Sequence, residues 1–341
     1  MSNTEQSCGL PDVAAIVAAR RGEMRQEIVR SMAKVRAAYV TTTRDRLLRE
    51  GFDEFLDLVL GTSADGRRED GRCFFVTGES GAGKSRSIRR LFDTNEALAP
   101  IGTNGRVYVP WVSVKGPSPS TLQRLGLRIL REVGYPLKLD TPESRVWEIL
   151  GDQLRLRRIL VVHIDEAQHL ARSMKSEFER KAVANALKDI LEHKGWPVSF
   201  VLSGIPTATE IARVDPQIER RGRFLAYPSL DMTKTIDCKI VQAIVRKLAD
   251  AATLRIDGLT DSLFEDRLCH AANHQIGRVA QIVAGAIHKA LVRGSSELTS
   301  EDFVNAYRSA SHTTGLDELN PFLASDWKEL PAGSFLIATE S

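Results

Sequence analysis

The chain has 341 residues, 43% of them hydrophobic, with 47 Lys and Arg against 44 Asp and Glu for a formal net charge of +3. These values suit a globular protein of two or three structural units and exclude a disordered or fibrous chain. The four cysteines, Cys8, Cys73, Cys238 and Cys269, stand apart from one another, which argues against a zinc site or a disulfide framework, and no apolar run approaches the roughly 20 residues needed to cross a bilayer.

Residues from about Pro11 to Leu60 read as helical, with Ile28, Met32, Val35 and Tyr39 at three- and four-residue spacing, followed by Phe52, Phe55, Leu56, Val59 and Leu60. The apolar stretch Val13 to Ala19 precedes its arginines, the reverse of a signal peptide, so a cytoplasmic location is expected. Between Arg20 and Glu50 positive charge gathers (Arg20, Arg21, Arg25, Arg30, Lys34, Arg36, Arg44, Arg46, Arg49), which reads as a solvated helix face or a basic surface for a polyanion. The glycine-bearing stretch Gly61 to Gly71 marks a boundary.

The apolar run Cys73-Phe74-Phe75-Val76 leads into Gly78, Glu79, Ser80, Gly81, Ala82, Gly83, Lys84 and Ser85, a complete G-x-x-x-x-G-K-[ST] phosphate loop between a strand and a helix. The glycines let successive backbone N–H groups surround phosphates, and the helix beginning near Lys84 adds its positive end. Lys84 is placed to neutralise the β and γ phosphates of ATP, and Ser85 to put its hydroxyl on Mg²⁺.

Further strands are expected at Arg106 to Val114, Arg158 to Ile164, Val198 to Ser203 and Phe224 to Pro228, with helices over Ser118 to Val133 and Phe178 to His193. This alternation predicts an α/β fold, a five-stranded parallel sheet between helices. The third strand ends in Ile164-Asp165-Glu166, a Walker B pattern. A buried parallel strand delivers both carboxylates to its C-terminal edge, Asp165 toward Mg²⁺ and Glu166 toward the attacking water. His163, inside the strand, reads as a satisfied core histidine that alternation turns away from Asp165's side or into the sheet packing. After Pro228 the pattern is helical only: Thr233 to Ala252, Thr260 to Asn273, Gly277 to Val292 and Thr299 to Ala310, with Thr260 and Thr299 as N-caps and Asp302 three residues after the latter. The resulting division is a basic helical region over 1–66, a nucleotide-binding core over 67–229, a small all-helical lid over 230–315 and an acidic tail over 316–341.

A five-stranded P-loop core followed by a helical lid resembles the AAA+ ATPases. That resemblance implies a sensor-1 role for Ser203, an arginine finger among Arg220, Arg221 and Arg223 that enters a neighbouring subunit's site, and a sensor-2 role for Arg278, which opens an apolar helix. Gly222 interrupts the usual Arg-Arg-Phe spacing and leaves the choice of finger open. Val76 to Ser85, Ile164-Asp165-Glu166-Ala167-Gln168-His169-Leu170, the helix Ala184 to Leu191 leading to Val198 to Pro206, and Leu319-Asn320-Pro321-Phe322 together resemble the TniB family of transposition ATPases, relatives of TnsC and MuB. This implies a Mg²⁺-dependent ATPase that oligomerises on double-stranded DNA without sequence preference, as a ring or helical filament. It would select a target site and recruit or activate a transposase, with a target-selection protein as a further partner and no membrane involved. By topological analogy with such assemblies, Lys115, Arg172 and Lys175 are candidate DNA contacts on loops lining the inner surface of a helical assembly. The alternatives are an AAA+ ATPase of another DNA-linked or secretion-type assembly, and a nucleotide-gated scaffold with little hydrolysis.

Overall fold

The computed structural model describes residues 12–118, 121–173, 176–257, 259, 263–311 and 316–333. In chain order the elements are α1 (Val13–Ala19), α2 (Glu23–Ala37), α3 (Thr43–Leu60), β1 (Cys73–Gly78), α4 (Lys84–Thr94), β2 (Ile101–Thr103), β3 (Arg106–Tyr108), β4 (Trp111–Lys115), α5 (Leu122–Glu132), α6 (Glu143–Leu156) and β5 (Val161–Asp165). They continue with α7 (Gln168–Ser173), α8 (Glu177–Leu191), β6 (Ser199–Gly204), α9 (Glu210–Arg213), α10 (Pro216–Arg220), β7 (Gly222–Tyr227), α11 (Thr235–Ala251), α12 (Phe264–Ala271), α13 (Ile276–Val292) and α14 (Ser300–Ser311). Contacts divide the chain into two compact units, one over Thr41–Ser229 and one joining Met1–Val40 to Leu230–Ser341.

In the first unit a five-stranded sheet runs in the order β4-β5-β6-β1-β7, and every pairing is parallel. The central strands are largely apolar because both faces are covered, with His163 and Ser203 among the buried polar exceptions. Alternation sends Phe75, Val162, Ile164, Phe200 and Leu202 into a core with Leu125 and Leu130 of α5, Leu150 of α6 and Leu187 and Ile190 of α8. On the opposite face Phe74, Val76, Val161 and Val201 meet Phe52 and Phe55 of α3 and Ile88 and Phe92 of α4. A capping box starts α3, in which Thr42 N and Oγ1 both donate to Asp45 Oδ2 at 2.7 and 2.9 Å.

The strand expected over Arg106 to Val114 is two strands in different sheets. β3 pairs antiparallel with β2, whereas β4 joins the main sheet beside β5. Pro110 separates them: it has no N–H for a ladder, and its carbonyl instead accepts from Leu160 N and Val161 N at 2.7 and 3.1 Å.

The second unit is helical. Ile28, Met32 and Val35 of α2 share a core with Val241, Ile244 and Leu248 of α11 and Val283 and Ile287 of α13. The stretch read as one N-terminal region is therefore cut between Val40 and Thr41, with α2 in the helical unit and α3 in the sheet unit. The basic run is not one solvated face either, since Arg44 is 6% exposed. Thr299 N and Oγ1 donate to Asp302 Oδ2 at 3.0 and 2.9 Å, closing the cap of α14; Thr260 lies outside the described residues.

The segment 316–333 packs on this unit despite its acidic composition. Asn320 is buried and donates from Nδ2 to Val304 O at 3.2 Å, while its Oδ1 accepts from Phe322 N at 3.1 Å. The Phe322 ring then meets Phe264, Phe303 and Tyr307. Arg267 Nη1 donates to Pro321 O and Ala324 O at 2.6 and 2.7 Å, and buried Trp327 lies edge-on to His270 with centroids 5.2 Å apart. Charge counting does not register this docking because Asn320, Phe322 and Trp327 carry no charge, although Asp317 also pairs with Arg308. Trp327→Ala is expected to lower unfolding stability by about 3 kcal/mol, as for other large-to-small core changes, whereas a solvated tail would respond by less than about 0.5 kcal/mol. Denaturant midpoints of the two proteins decide between them.

Candidate nucleotide site

The phosphate loop connects β1 to α4. Gly81 and Gly83 hold φ of 87° and 91°, which side chains rarely adopt, and a Cβ at Gly78 would stand 2.9 Å from Tyr227 O. Lys84, 8% exposed, donates from Nζ to Gly78 O at 2.8 Å and Glu79 O at 3.0 Å, so its ammonium lies along the loop. Burial pulls its pKa down, opposed by Glu166, Asp165 and Glu79. The buried Arg44 braces the loop from behind through Ala82 O and also donates to Pro228 O. Its sequence context gave no sign of this, because one arginine among many basic residues carries no periodic signal.

Asp165 is where β5, β6 and α4 meet. It accepts Ser203 Oγ at 2.7 Å, Glu166 N at 3.0 Å and a hydrogen bond from Ser85. Burial pushes its pKa up, but the Ser203 and Ser85 hydroxyls, His163 and the Glu166 N–H outweigh this and hold it below the ordinary value. The motif elements at Lys84, Ser85 and Asp165 thus lie in one place, and they fit a Mg²⁺-nucleotide: a hydroxyl and an ionised carboxylate in contact, beside a lysine and a glycine cradle.

His163 faces the same side as Asp165, contrary to the expected orientation, because residues two apart on a strand share a face. It is satisfied at both nitrogens, Nε2 with Ser203 Oγ and Nδ1 with Ser113 Oγ, each at 2.8 Å. Ser203 gives its proton to the acceptor-only carboxylate, so His163 Nε2 carries a hydrogen and Nδ1 accepts from Ser113; this assigns one neutral tautomer. Burial, opposed by Asp165, pulls the imidazole down to about 4, in keeping with that neutral form.

Glu166 has φ of 57° and accepts at Oε2 from Gln168 Nε2. Nothing in the sequence around Gln168 signals this contact. Lys115 ends β4 in register with Asp165, and Gly116 follows, where a Cβ would stand 2.9 Å from Glu166 O. Lys115 and Arg172 are exposed; Lys175 lies outside the described residues.

The three candidate arginines differ. Arg221 bridges Asp70 and Glu192, each at 2.7 Å, with only 18% of its side chain exposed. Arg220, at the end of α10, and Arg223, on the edge strand β7, are exposed. The glycine between them has a packing cause, since a Cβ at Gly222 would stand 2.8 Å from the Phe224 ring, itself stacked on Phe75 at 5.0 Å. Arg278, in the helical unit, donates from Nη1 to Gly333 O at 3.3 Å.

Residues 67–211 match the family model for an AAA domain. Solved structures with a similar fold include the Aeropyrum pernix ORC2 protein in ADPNP–ADP complexes, with a TM-score of 0.52 and 17% identity over 77% of this chain and 66% of that one. Others are A. pernix ORC1 in complex with DNA (0.52, 16%, 80% and 65%) and Cdc6p from Pyrobaculum aerophilum (0.54, 12%, 77% and 66%). The chain spans 65 to 66% of the length of these three proteins. No curated protein gave a significant match. The fold is that of an AAA+ P-loop NTPase, a parallel five-stranded sheet with flanking helices, and the chain carries a helical C-terminal region. Fold and domain support nucleotide hydrolysis in general.

Replacing His163 with Leu is expected to destabilise the protein by about 2 kcal/mol, since the buried Ser203 and half-buried Ser113 hydroxyls lose a partner. Adding Ser113→Ala should then cost less than it does in the wild type, because its partner is already gone. Additive losses in a double-mutant cycle would contradict the hydrogen-bonded chain.

Proposed function

We propose that the protein is an ATP-dependent, DNA-binding AAA+ regulator of transposition that assembles on double-stranded DNA and recruits or activates a transposase. The observation that carries the ATPase reading is the junction at Asp165, which brings Ser85, Ser203 and Glu166 of three elements together beside the Lys84 loop. The TniB-like reading rests on the resemblance of the Leu319-Asn320-Pro321-Phe322 ending, a segment that is anchored on the helical unit. A DNA partner is further supported by the structural likeness to an ORC1 protein solved in complex with DNA. No helix among the described residues is long and apolar enough to cross a membrane, and we place the protein in the cytoplasm.

In this reading the loop N–H groups and Lys84 hold the phosphates, and Ser85 with Asp165 binds Mg²⁺, which supplies charge neutralisation at the reacting phosphate. Glu166 orients the water for in-line attack. Ser203 keeps Asp165 in place, and its hydroxyl is directed at that carboxylate by His163. Arg220 or Arg223 of one copy completes the site of the next, while Arg221 fastens α10 and β7 to Asp70 and Glu192. Nucleotide state then sets the stability of the oligomer. Arg278 acts as the helical unit's phosphate sensor. Exposed Lys115 and Arg172, with Lys175, meet DNA phosphates.

Steady-state turnover with and without duplex DNA tests this proposal: DNA should stimulate wild-type hydrolysis, and the Lys115→Ala, Arg172→Ala pair should lose that stimulation and flatten the salt dependence of DNA binding by about one unit of slope per phosphate contact. Hydrolysis indifferent to DNA would remove the transposition reading and leave the ATPase. For the finger, either Arg220→Ala or Arg223→Ala should cut assembled-state turnover by about 10³-fold or more. Arg221→Ala should lower stability instead. Undiminished turnover in both exposed-arginine variants would refute a finger at this edge.

A further inference from the structure

Glu166 must present one carboxylate oxygen to water in a fixed direction, yet it follows the end of β5 in a left-handed conformation, φ 57°, where the chain is turning. Its own backbone does not fix the side chain. What fixes it is Gln168, the first residue of α7, which is 4% exposed and donates from Nε2 to Glu166 Oε2. The same amide accepts at Oε1 from Ile205 N at 3.3 Å, the residue after β6. Both ends of the amide are engaged, so its flip state is set by its partners: the oxygen must face the Ile205 N–H and the nitrogen must face the carboxylate.

Space for this amide is built into the chain. A Cβ on Gly204 would overlap Gln168 Oε1, and it would also stand 3.3 Å from Ala167 N. Ala167 N donates to Ser203 O at 2.8 Å, tying the turn after Asp165 to the strand that carries Ser203. Glu166 also lies close enough to Lys84 to oppose the lowering of its pKa by burial.

On the strength of this geometry, and resting on the ATPase reading above, we propose that Gln168 is the positioning residue of hydrolysis: its amide, seated on Gly204 and anchored to Ile205, occupies Glu166 Oε2 and leaves Oε1 as the single oxygen that orients the attacking water. Gln168 touches no reactant; it acts through Glu166. The anchor at Ile205 also makes the carboxylate's aim depend on the loop leading out of β6, toward α9, α10 and the exposed Arg220.

The test compares Gln168→Glu and Gln168→Met with the wild type, in Glu166 and Glu166→Gln backgrounds, by kcat and KM for ATP and by thermal melting. Gln168→Glu keeps the shape and the acceptor for Ile205 N but cannot donate to Glu166 when ionised; Gln168→Met is neutral and loses both bonds. Both should lower kcat by about 10- to 100-fold with KM within about twofold, as expected for a misplaced catalytic group. Neither should lower kcat further once Glu166 is Gln, because the shared target is already gone. Wild-type kcat in Gln168→Glu, or an undiminished additional loss in the Glu166→Gln background, would show that Gln168 serves packing only and would overturn the proposal. A wild type that hydrolyses no ATP while its Glu166→Gln variant behaves identically would instead remove the ATPase reading beneath it.

Discussion

The constraint on which the site depends is the placement of one carboxylate, Asp165, at the end of a strand that is buried up to its last residue. Drawing that group partly out of water is costly unless it finds donors, and three come from three directions: Ser85 from α4, Ser203 from β6 and the N–H of Glu166. Ser203 in turn is aimed by His163, which Ser113 on β4 completes. A line of hydrogen bonds therefore crosses the sheet from β4 through β5 to β6 and ends beside the phosphate loop. The registers of β4, β5 and β6 are supported by this line as well as by their ladders, which ties that part of the sheet to the site at its edge.

Glycines at close approaches complete the arrangement. Gly78 lets β1 pass against Tyr227, Gly116 lets the end of β4 pass against the Asp165 and Glu166 carbonyls, and Gly204 makes room for Gln168. These positions lie at the C-terminal ends of parallel strands, where ligands of open α/β sheets bind. The cost in backbone freedom is offset by burial on both faces of the sheet, with an aromatic cluster of Phe52, Phe55, Phe74 and Phe92 behind the loop.

The sheet, its parallel sense and the phosphate-binding and acidic elements were legible from residues alone, because buried parallel strands write themselves as continuous apolar runs and the phosphate loop has a fixed spacing. What escaped were features set by partners distant in sequence. Pro110 splits a run that looks like one strand. Arg44 sits in a charged stretch yet is buried under the loop, and Asn320 and Trp327 sit in an acidic one yet anchor it to the helical unit. His163 is the satisfied core residue its place in the strand suggests, packed in the sheet, but it shares a face with Asp165 because the two are two residues apart. The choice among Arg220, Arg221 and Arg223 had no answer in spacing; the ion pairs of Arg221 with Asp70 and Glu192, 151 and 29 residues away in the chain, narrow it.

We propose that nucleotide in the Asp165 site governs assembly on DNA. Sedimentation of the purified protein with duplex DNA, in ATP and in ADP and with Glu166→Gln alongside, tests it most directly. The account predicts large complexes on DNA that form in ATP, persist in Glu166→Gln and disappear in ADP. Sedimentation that is the same in both nucleotides would contradict it.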